Sequence, residues 1–175
     1  MRVPDSCYAV IALGSNLGNS IELITHAFDQ IGQFSEGPVL RSSLWRSSPV
    51  NCPPGSADFV NAVMAITPSL TDTPENLLGK LQGIEGQMGR KPKKVENEAR
   101  PIDLDLIGYG DRTSSTPYLE LPHPRAHLRK FVLAPLAEIL PGQMLPGWSA
   151  DASELLKQLM ADPGNSEICE RLVSS

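Results

Sequence analysis

The order of the predicted secondary-structure elements indicates an α+β fold with a ferredoxin-like βαββαβ core. Four segments of the sequence read as strands, and segments with an apolar face at helical spacing follow the first and the third of them. We therefore expect a mainly antiparallel sheet with helices packed on it. More helical sequence follows the fourth strand, which predicts extra C-terminal helices.

The first strand and the first helix have the clearest local signals. An apolar run over 7–13 predicts a buried strand. Asn19 can cap the next helix, with Glu22 three residues later as in a capping box. The apolar face of this helix consists of Ile21, Ile24, Ala27, Phe28 and Ile31.

Two strands and a second helix form the middle of the predicted core. The strands are expected over 39–45 and 59–67, on either side of a loop rich in proline, serine and glycine. Thr73 and Pro74 predict the start of the helix, because proline suits the first helical position. Its core stripe consists of Leu77, Leu78, Leu81, Ile84 and Met88.

The second half of the chain supplies the fourth strand and the extra helices. A polar, basic loop over 91–99 precedes a short strand over 100–107. Residues 125–140 read as helical, with an interruption at Pro135. A last helix is expected over 153–160.

Length and composition favour one globular domain. The 175 residues are enough for a real core, so we expect a single domain over 1–175 with a flexible tail over 162–175. A net charge of −5 and only 5% aromatic residues argue against nucleic-acid or membrane partners. The three cysteines are widely spaced and offer neither a metal pair nor a disulfide framework, so we expect a cytoplasmic protein.

The positive charges of this acidic chain are concentrated in one region. Nine of the 15 lysines and arginines lie between positions 90 and 130, which suggests a small polyanionic ligand. The alternative is a solvated charged loop, the usual role of a charge run. The nine are Arg90, Lys91, Lys93, Lys94, Arg100, Arg112, Arg125, Arg129 and Lys130.

Two aspartates in the fourth strand are the most informative feature. Asp103 and Asp105 leave the strand on one face, while Ile102, Leu104 and Leu106 face the core. Carboxylates this close raise each other's proton affinity, and a cation stabilises such a pair. An oxygen-only ligand set favours a hard ion such as Mg²⁺. The alternative is a polar strand face with two solvated acids.

Two further motifs are weak signals by themselves. Residues 14–18 join a strand to a helix but lack the pattern of a phosphate-binding loop, so we interpret them as a tight turn and cap. Gln82 and Glu85 share one helix face and could bind a purine amino group, although such residues usually face water.

Basic and polar residues suggest two binding surfaces. Arg90 and Arg100 bracket the basic loop and could bind phosphate oxygens, with His123 and Arg129 as further donors. A loop and a strand could form a flat apolar slot in which an amide recognises the ligand. The residues of this slot are Ser47, Ser48, Pro49, Val50, Phe59 and Asn61.

Seven blocks in this order resemble the 6-hydroxymethyl-7,8-dihydropterin pyrophosphokinase family, over about residues 8–146. The most specific are Arg-X-Ile-Asp-Leu-Asp-Leu at 100–106 and Leu-Pro-His-Pro at 121–124. The others are Ala-Leu-Gly-Ser-Asn-Leu-Gly at 12–18, Trp-Arg-Ser-Ser-Pro-Val at 45–50, Phe-Val-Asn-Ala at 59–62, Ile-Glu-X-X-X-Gly-Arg at 84–90, and Arg-Lys-Phe-Val-Leu-X-Pro-Leu-X-Glu-Ile at 129–139.

The resemblance implies transfer of the β,γ-pyrophosphoryl unit of ATP to a dihydropterin hydroxymethyl group, with release of AMP, in folate biosynthesis. It makes Asp103 and Asp105 the ligands of two Mg²⁺ ions and catalytic residues. The other implied catalytic residues are Arg90, Arg100, His123 and Arg129. The implied ATP-side residues are Gln82, Glu85, Arg100, Leu106, His123 and Arg129, and the implied pterin-side residues are Ser47, Ser48, Val50, Phe59, Asn61 and Phe131.

The chain departs from the family pattern in one loop. Between Arg90 and Arg100 the family usually carries an arginine and a tryptophan, and here Pro92 and Asn97 stand in those places. Because this loop closes over the substrates in the family, we expect weaker closure, or closure through lysines. Pro124 replaces the aromatic or polar residue often found after the Pro-His pair.

The altered loop leaves two alternatives open. One is a related Mg-ATP pyrophosphoryl transferase with another alcohol acceptor, and the other is a module that binds pterin or nucleotide without turnover. Retention of both aspartates, His123 and three arginines argues against the second, because a binder needs no two-metal site. We expect a monomer or a weak dimer with small-molecule substrates.

Overall fold

The computed structural model describes residues 8–92 and 94–173, and it confirms an α+β fold with a ferredoxin-like core. The strands are β1 (Ala9–Ser15), β2 (Leu40–Arg41), β3 (Trp45–Ser47), β4 (Phe59–Ile66), β5 (Asp103–Tyr109), β6 (Ser114–Ser115), β7 (Glu120–Leu121) and β8 (Cys169–Arg171). The helices are α1 (Ser20–Gly32), α2 (Pro74–Gln87), α3 (Lys130–Ile139) and α4 (Ala152–Ala161), with a 3₁₀ turn at Ala126–Leu128 before α3.

One antiparallel sheet organises the molecule. Its strand order is β5-β1-β4-β3-β8, and β2 also pairs with β4. Strands β1 and β4 are central, and each is the first strand of one of the two βαβ units, β1-α1-β3 and β4-α2-β5, as a split βαβ arrangement requires. Strands β6 and β7 form a separate two-stranded hairpin. In this order the start of β5 lies beside the end of β1, where Gly14 pairs with Asp103.

Helices cover both faces of the sheet, because alternate residues of its strands point to opposite sides. Ile11 and Leu13 of β1 pack towards α1 and α2 in one buried cluster. Val10 of the same strand packs towards α3 and α4 in a second cluster. Within the described ranges, no helix is long and apolar enough to cross a membrane.

The helix starts follow the predicted capping residues. The Asn19 side chain accepts a hydrogen bond from the Glu22 backbone N–H, with 3.3 Å between Oδ1 and N. Thr73 Oγ1 accepts from the backbone N–H of Asn76 at 3.1 Å, and Pro74 begins α2. Both caps satisfy backbone N–H groups that have no partner inside the helix.

Two predicted elements are interrupted at positions that the sequence did not indicate. The strand expected over 39–45 divides at Ser42, whose hydroxyl accepts a hydrogen bond from Val63 N and so replaces a backbone carbonyl in the ladder. The helix expected over 125–140 breaks at Arg129, which is extended at φ −121° and ψ 119°. Pro135 lies inside α3, where it removes one helical hydrogen-bond donor.

Two of the expectations concern the ends of the chain. Cys7, placed in the first predicted strand, lies outside the described residues. The tail expected to be flexible over 162–175 contains β8, which pairs with β3 and extends the sheet. Pairing to the free edge of β3 gives this segment backbone hydrogen bonds that its polar sequence did not predict. The single-domain organisation remains a prediction.

Candidate active site

A central cavity lies where β5 begins, beside the loop after β3 and the start of α3. It collects ten of the residues predicted to form the site, although they are scattered over 85 positions. All six residues expected on the pterin side are among them. The ten are Ser47, Ser48, Val50, Phe59, Asn61, Arg100, Asp103, Asp105, Arg129 and Phe131.

Two parts of this region differ in chemistry. We call the first the cavity wall: Ser47, Ser48, Val50, Phe59, Asn61 and Phe131. We call the second the charged corner: Arg90, Arg100, Asp103, Asp105, His123 and Arg129.

The cavity wall is held together by internal hydrogen bonds. Asn61 and Ser47 are only 4% and 2% exposed, and Asn61 Nδ2 donates to Ser47 Oγ at 2.6 Å. Gly14 on the neighbouring strand leaves room for the amide, since an added Cβ there would lie 3.3 Å from Asn61 Oδ1. The Asn61 amide nitrogen therefore donates to Ser47, and its Oδ1 lies beside Gly14, which lines the same cavity.

An arginine side chain lies over each aromatic ring of the cavity wall. Arg100 Cζ lies 5.5 Å from the centroid of the Phe59 ring, and Arg129 Cζ lies 5.3 Å from that of Phe131. Such cation–π contacts orient the guanidinium groups and the rings together. The two arginines thus connect the cavity wall to the charged corner.

The paired aspartates face α3, as their alternation in the strand predicts. Asp103 and Asp105 lie opposite Gly14 and Ala12 of β1, and both are half-buried. Leu104, between them, packs in the cluster on the opposite face. Burial raises the pKa of the Asp105 carboxyl to about 7, and the negative charges of Asp103 and Glu85 act in the same direction.

The donor set at this position fits Mg²⁺. Carboxylates are hard oxygen ligands, and a protein binds Mg²⁺ through one or two of them together with substrate phosphates. Across residues 8–92 and 94–173, no group of three or more His, Cys, Asp or Glu side chains could hold a metal ion. A metal at Asp103 and Asp105 would therefore need further oxygen ligands, which water or substrate phosphates can supply.

Arg90 is fixed by an ion-pair network. Its Nη1 contacts the Glu85 carboxylate and lies 2.5 Å from Asp103 Oδ1. Glu85 Oε2 also accepts from Leu104 N at 3.3 Å. Burial raises the pKa of Glu85, while the Arg90 charge lowers it. Glu85 thus acts as the buried partner that holds Arg90 beside Asp103.

Arg100 has an unsatisfied donor aimed at the carboxylate. Its Nε lies 3.5 Å from Asp103 Oδ2, and in the described part of the chain this buried atom has no hydrogen-bond partner. A buried guanidinium N–H without an acceptor is costly, and an anionic oxygen in the cavity would satisfy it.

A second cavity, the hairpin cavity, lies between β5 and the β6–β7 hairpin. Asp105 lines both cavities, and the hairpin cavity adds Leu106 and His123, two of the residues expected on the ATP side. Gln82, also expected there, has an exposed side chain on α2 and lines neither cavity.

His123 is held as a neutral ring. Burial lowers the pKa of His123 to about 4, and the charges of Arg129 and Arg125 act in the same direction. The backbone N–H of Arg125 donates to His123 Nδ1 at 3.2 Å. Because Nδ1 accepts, the neutral ring carries its proton on Nε2, which makes that nitrogen a donor.

Several residues of the site had no clear signal in the sequence. Asn16 Oδ1 accepts from Arg100 N at 3.0 Å and so fixes the backbone three residues before β5. Its motif was interpreted only as a turn and cap. Cys52 and Asn97 line the central cavity from two loops, and Asn97 Nδ2 donates to the Asn51 carbonyl at 2.8 Å.

Fold and site together define a class of protein. Paired carboxylates among arginines, between a cavity with aromatic and amide groups and a second cavity, are typical of an enzyme that transfers a phosphate-containing group. The chain belongs to the family described as 7,8-dihydro-6-hydroxymethylpterin-pyrophosphokinase (HPPK), whose model matches residues 10–141. This confirms the resemblance found in the sequence.

Similar proteins support the family assignment. The 2-amino-4-hydroxy-6-hydroxymethyldihydropteridine pyrophosphokinase of Haemophilus influenzae is 40% identical over 151 residues, covering 86% of this chain and 91% of that protein. The protein with the same description in Synechocystis is 35% identical over 158 residues, covering 89% of this chain and 78% of its own length.

Solved structures show the same fold. A Plasmodium falciparum HPPK-DHPS crystal structure with SDX-DHP superposes with a TM-score of 0.68 and 14% identity, covering 86% of this chain. This chain spans 45% of the length of that protein, so the likeness concerns its architecture alone.

Proposed function

We propose that this chain transfers the β,γ-pyrophosphoryl unit of ATP to the hydroxymethyl oxygen of 6-hydroxymethyl-7,8-dihydropterin, with release of AMP, in folate biosynthesis. The observation that carries the proposal is that Asp105 lines both cavities. A donor and an acceptor bound in adjacent cavities would meet at the aspartate pair, which is the geometry that group transfer needs.

The cavity wall would bind the pterin. Asn61 Oδ1 can accept from the ring's amide-like edge, and Phe59 and Phe131 supply flat apolar surface. Ser47 keeps the amide in one orientation through its hydrogen bond to Asn61 Nδ2. A flat heteroaromatic ring with an amide edge fits this combination better than a flexible alcohol does.

The hairpin cavity would bind the nucleotide, with its phosphates directed to the charged corner. Leu106 offers an apolar surface for the base, and neutral His123 can donate from Nε2 without adding charge. Arg90, Arg100 and Arg129 would neutralise phosphate oxygens as negative charge moves to the leaving group.

Two Mg²⁺ ions would be held by Asp103 and Asp105 together with substrate oxygens. Bound there, they would supply Lewis acidity towards the phosphate chain and the attacking hydroxyl. Cations at this position would stabilise the ionised form of Asp105, whose pKa is raised to about 7 mainly by burial. Arg90 and Arg100, which now contact Asp103, would remain within reach of the phosphates.

The deciding experiment is product analysis. The protein is incubated with Mg²⁺, ATP and 6-hydroxymethyl-7,8-dihydropterin, and nucleotides are separated by chromatography. We expect AMP to form in step with pterin diphosphate. Formation of ADP, or nucleotide turnover that does not depend on the pterin, would contradict the proposal.

A related transferase with another alcohol acceptor is the second candidate. It is favoured by Asn97, which stands at the family's tryptophan position, lines the central cavity and bonds to Asn51. A panel of pterins and other alcohols in the same assay separates the two candidates, because only the first requires the hydroxymethyl pterin.

Two smaller proposals complete this picture. A cytoplasmic location is supported by the substrate, since ATP is an intracellular metabolite, and by the thiols of Cys52 and Cys169, which are free. A monomer or weak dimer is proposed because one chain supplies both cavities. Sedimentation at micromolar concentration tests the second point.

A further inference from the structure

We propose that the C-terminal segment 167–171 positions the cavity wall for pterin binding, with Glu167 as its principal positioning residue. The proposal rests on the proposed function of the central cavity. The segment lies beyond residues 10–141, the part of the chain that the family model matches.

Strand β8 fixes the backbone at the edge of the cavity wall. Cys169 pairs with Ser47 in the antiparallel ladder between β8 and β3. The register continues into the next loop, where Ser48 N donates to the Ile168 carbonyl at 3.0 Å and Ile168 N donates to Ser48 Oγ at 3.1 Å. Ser47 and Ser48 are thus both fixed by backbone pairing or hydrogen bonds to the segment 167–171.

Glu167 caps helix α3 from a distance. The residue before the helix, Arg129, provides no side-chain cap. Instead, the backbone N–H groups of Lys130 and Phe131 donate to the two Glu167 carboxylate oxygens, each at 3.1 Å. A carboxylate here satisfies two otherwise unpaired donors and interacts favourably with the positive end of the helix dipole.

A second contact reinforces this cap. Lys130 Nζ donates to the Glu167 carbonyl oxygen at 3.1 Å, so the same residue is held through its backbone and its side chain. Glu167 N in turn donates to Asn165 Oδ1 at 3.0 Å. The carboxylate is therefore presented to the helix from an ordered turn.

These contacts reach four of the six residues of the cavity wall. Ser47, Ser48 and Phe131 bond directly to the segment, and Asn61 is reached through Ser47. Residues 164–171 line no part of the hairpin cavity. Of the residues assigned to the ATP side, Arg129 directly precedes the capped N–H groups, so loss of the cap should raise the pterin KM more than the ATP KM.

The test compares two glutamates of the same segment. Glu167→Ala removes the cap, Glu167→Gln keeps its shape without its charge, and Glu170→Ala and Glu170→Gln are matched controls. Glu170 pairs with Arg46 on the exposed surface at 2.7 Å. AMP formation gives the KM for pterin and for ATP in each variant, and circular dichroism checks folding.

We expect Glu167→Ala to raise the pterin KM about tenfold and to change the ATP KM by less than about twofold, as loss of a helix cap would. Glu167→Gln should raise the pterin KM about threefold, because a neutral acceptor interacts less with the helix end. The Glu170 variants should match the unmodified protein.

Two outcomes would overturn the proposal: an unchanged pterin KM in Glu167→Ala, with or without a lower unfolding temperature, or equal rises in both KM values. If Glu167→Ala does not fold, the comparison of Glu167→Gln with Glu170→Gln decides in the same way. If the unmodified protein forms no AMP, the proposed function fails instead, so the two failures are distinguishable.

Discussion

The cavity wall and the charged corner lie side by side, but they are stabilised in opposite ways. In the cavity wall, polar groups bond to one another, as Asn61 does to Ser47. In the charged corner, two carboxylates share one strand face, and the pKa of Asp105 is raised to about 7. The polar groups of the cavity wall find hydrogen-bond partners within the folded protein. In the charged corner, the half-buried carboxylates repel each other, and a cation with phosphates would relieve this electrostatic tension.

Stability and activity therefore depend on different parts of the site. Removing a wall residue breaks contacts that also hold the fold. Removing Asp105 takes away an unfavourable charge, so the protein can gain stability while it loses activity, as is common at active sites.

The largest effect is expected from neutralising the aspartates. Asp103→Asn and Asp105→Asn should each lower kcat about 10³-fold, because either change removes a metal ligand and a charge that positions the arginines. Chelation of divalent metal should abolish AMP formation in the same assay. The control is Asp29→Asn, since Asp29 is an exposed residue that pairs with Arg41 at 3.1 Å. Near-normal turnover in either aspartate variant would refute the metal assignment.

A smaller effect, confined to one substrate, is expected in the cavity wall. Asn61→Ala should raise the pterin KM by about 10- to 100-fold, because the buried amide is lost and Ser47 loses its donor. The ATP KM should change by less than about twofold. Steady-state kinetics with each substrate varied in turn provides the measurement, and Asn76→Ala, at an exposed position of α2, is the control. Equal effects on both substrates would show that wall and corner do not act separately.

The pH dependence of stability tests the corner without substrate. The folded pKa of Asp105 is raised from 3.8 to about 7, so its contribution to stability falls as pH rises through that interval. The folded pKa of His123 is lowered from 6.5 to about 4, so its contribution rises over a similar interval. In the metal-free protein these two trends oppose each other.

Replacing Asp105 should separate the two trends. Asp105→Asn removes the falling contribution, so we expect the variant to be more stable than the unmodified protein by about 2 kcal/mol at about pH 8. Its stability should rise between about pH 4 and about pH 6.5, as the His123 contribution alone would give. Urea unfolding with a chelator present measures both. A variant that is less stable at about pH 8 would show that Asp105 is not under electrostatic tension.

The smallest effects are expected on the exposed face of α2. A Cβ added at Gly83 meets no atom within 4 Å, so Gly83→Ala should raise the unfolding free energy by about 1 kcal/mol. Neither KM should change, because the position lies outside both cavities. Gln82→Ala tests the neighbouring residue that was predicted on the ATP side, and a rise in the ATP KM of more than about threefold would place this face in the nucleotide site.

Local patterns in the sequence were sufficient for the main elements of the fold. Alternating apolar residues gave the central strands, and Asn19 and Thr73 marked the helix starts, because caps and periodicity depend on neighbours within one turn. The same alternation placed Asp103 and Asp105 on one face. A loop and a strand suggested five of the six cavity-wall residues, whereas Phe131 came only from the family resemblance, since no spacing rule links it to Ser47.

The contacts that hold these parts in place became visible only in the folded structure. The sequence could not show that Glu85 fixes Arg90, that Arg129 breaks the helix before α3, or that Glu167 caps that helix from 37 positions away. The Glu167 contact depends on which edge of the sheet remains free and which helix end lies beside it. The Glu85–Arg90 pair depends on the start of β5, which supplies Asp103 and the Leu104 backbone as further partners. Contacts between residues far apart in the chain leave no periodic trace, so they emerge only when the strands pair and the layers pack.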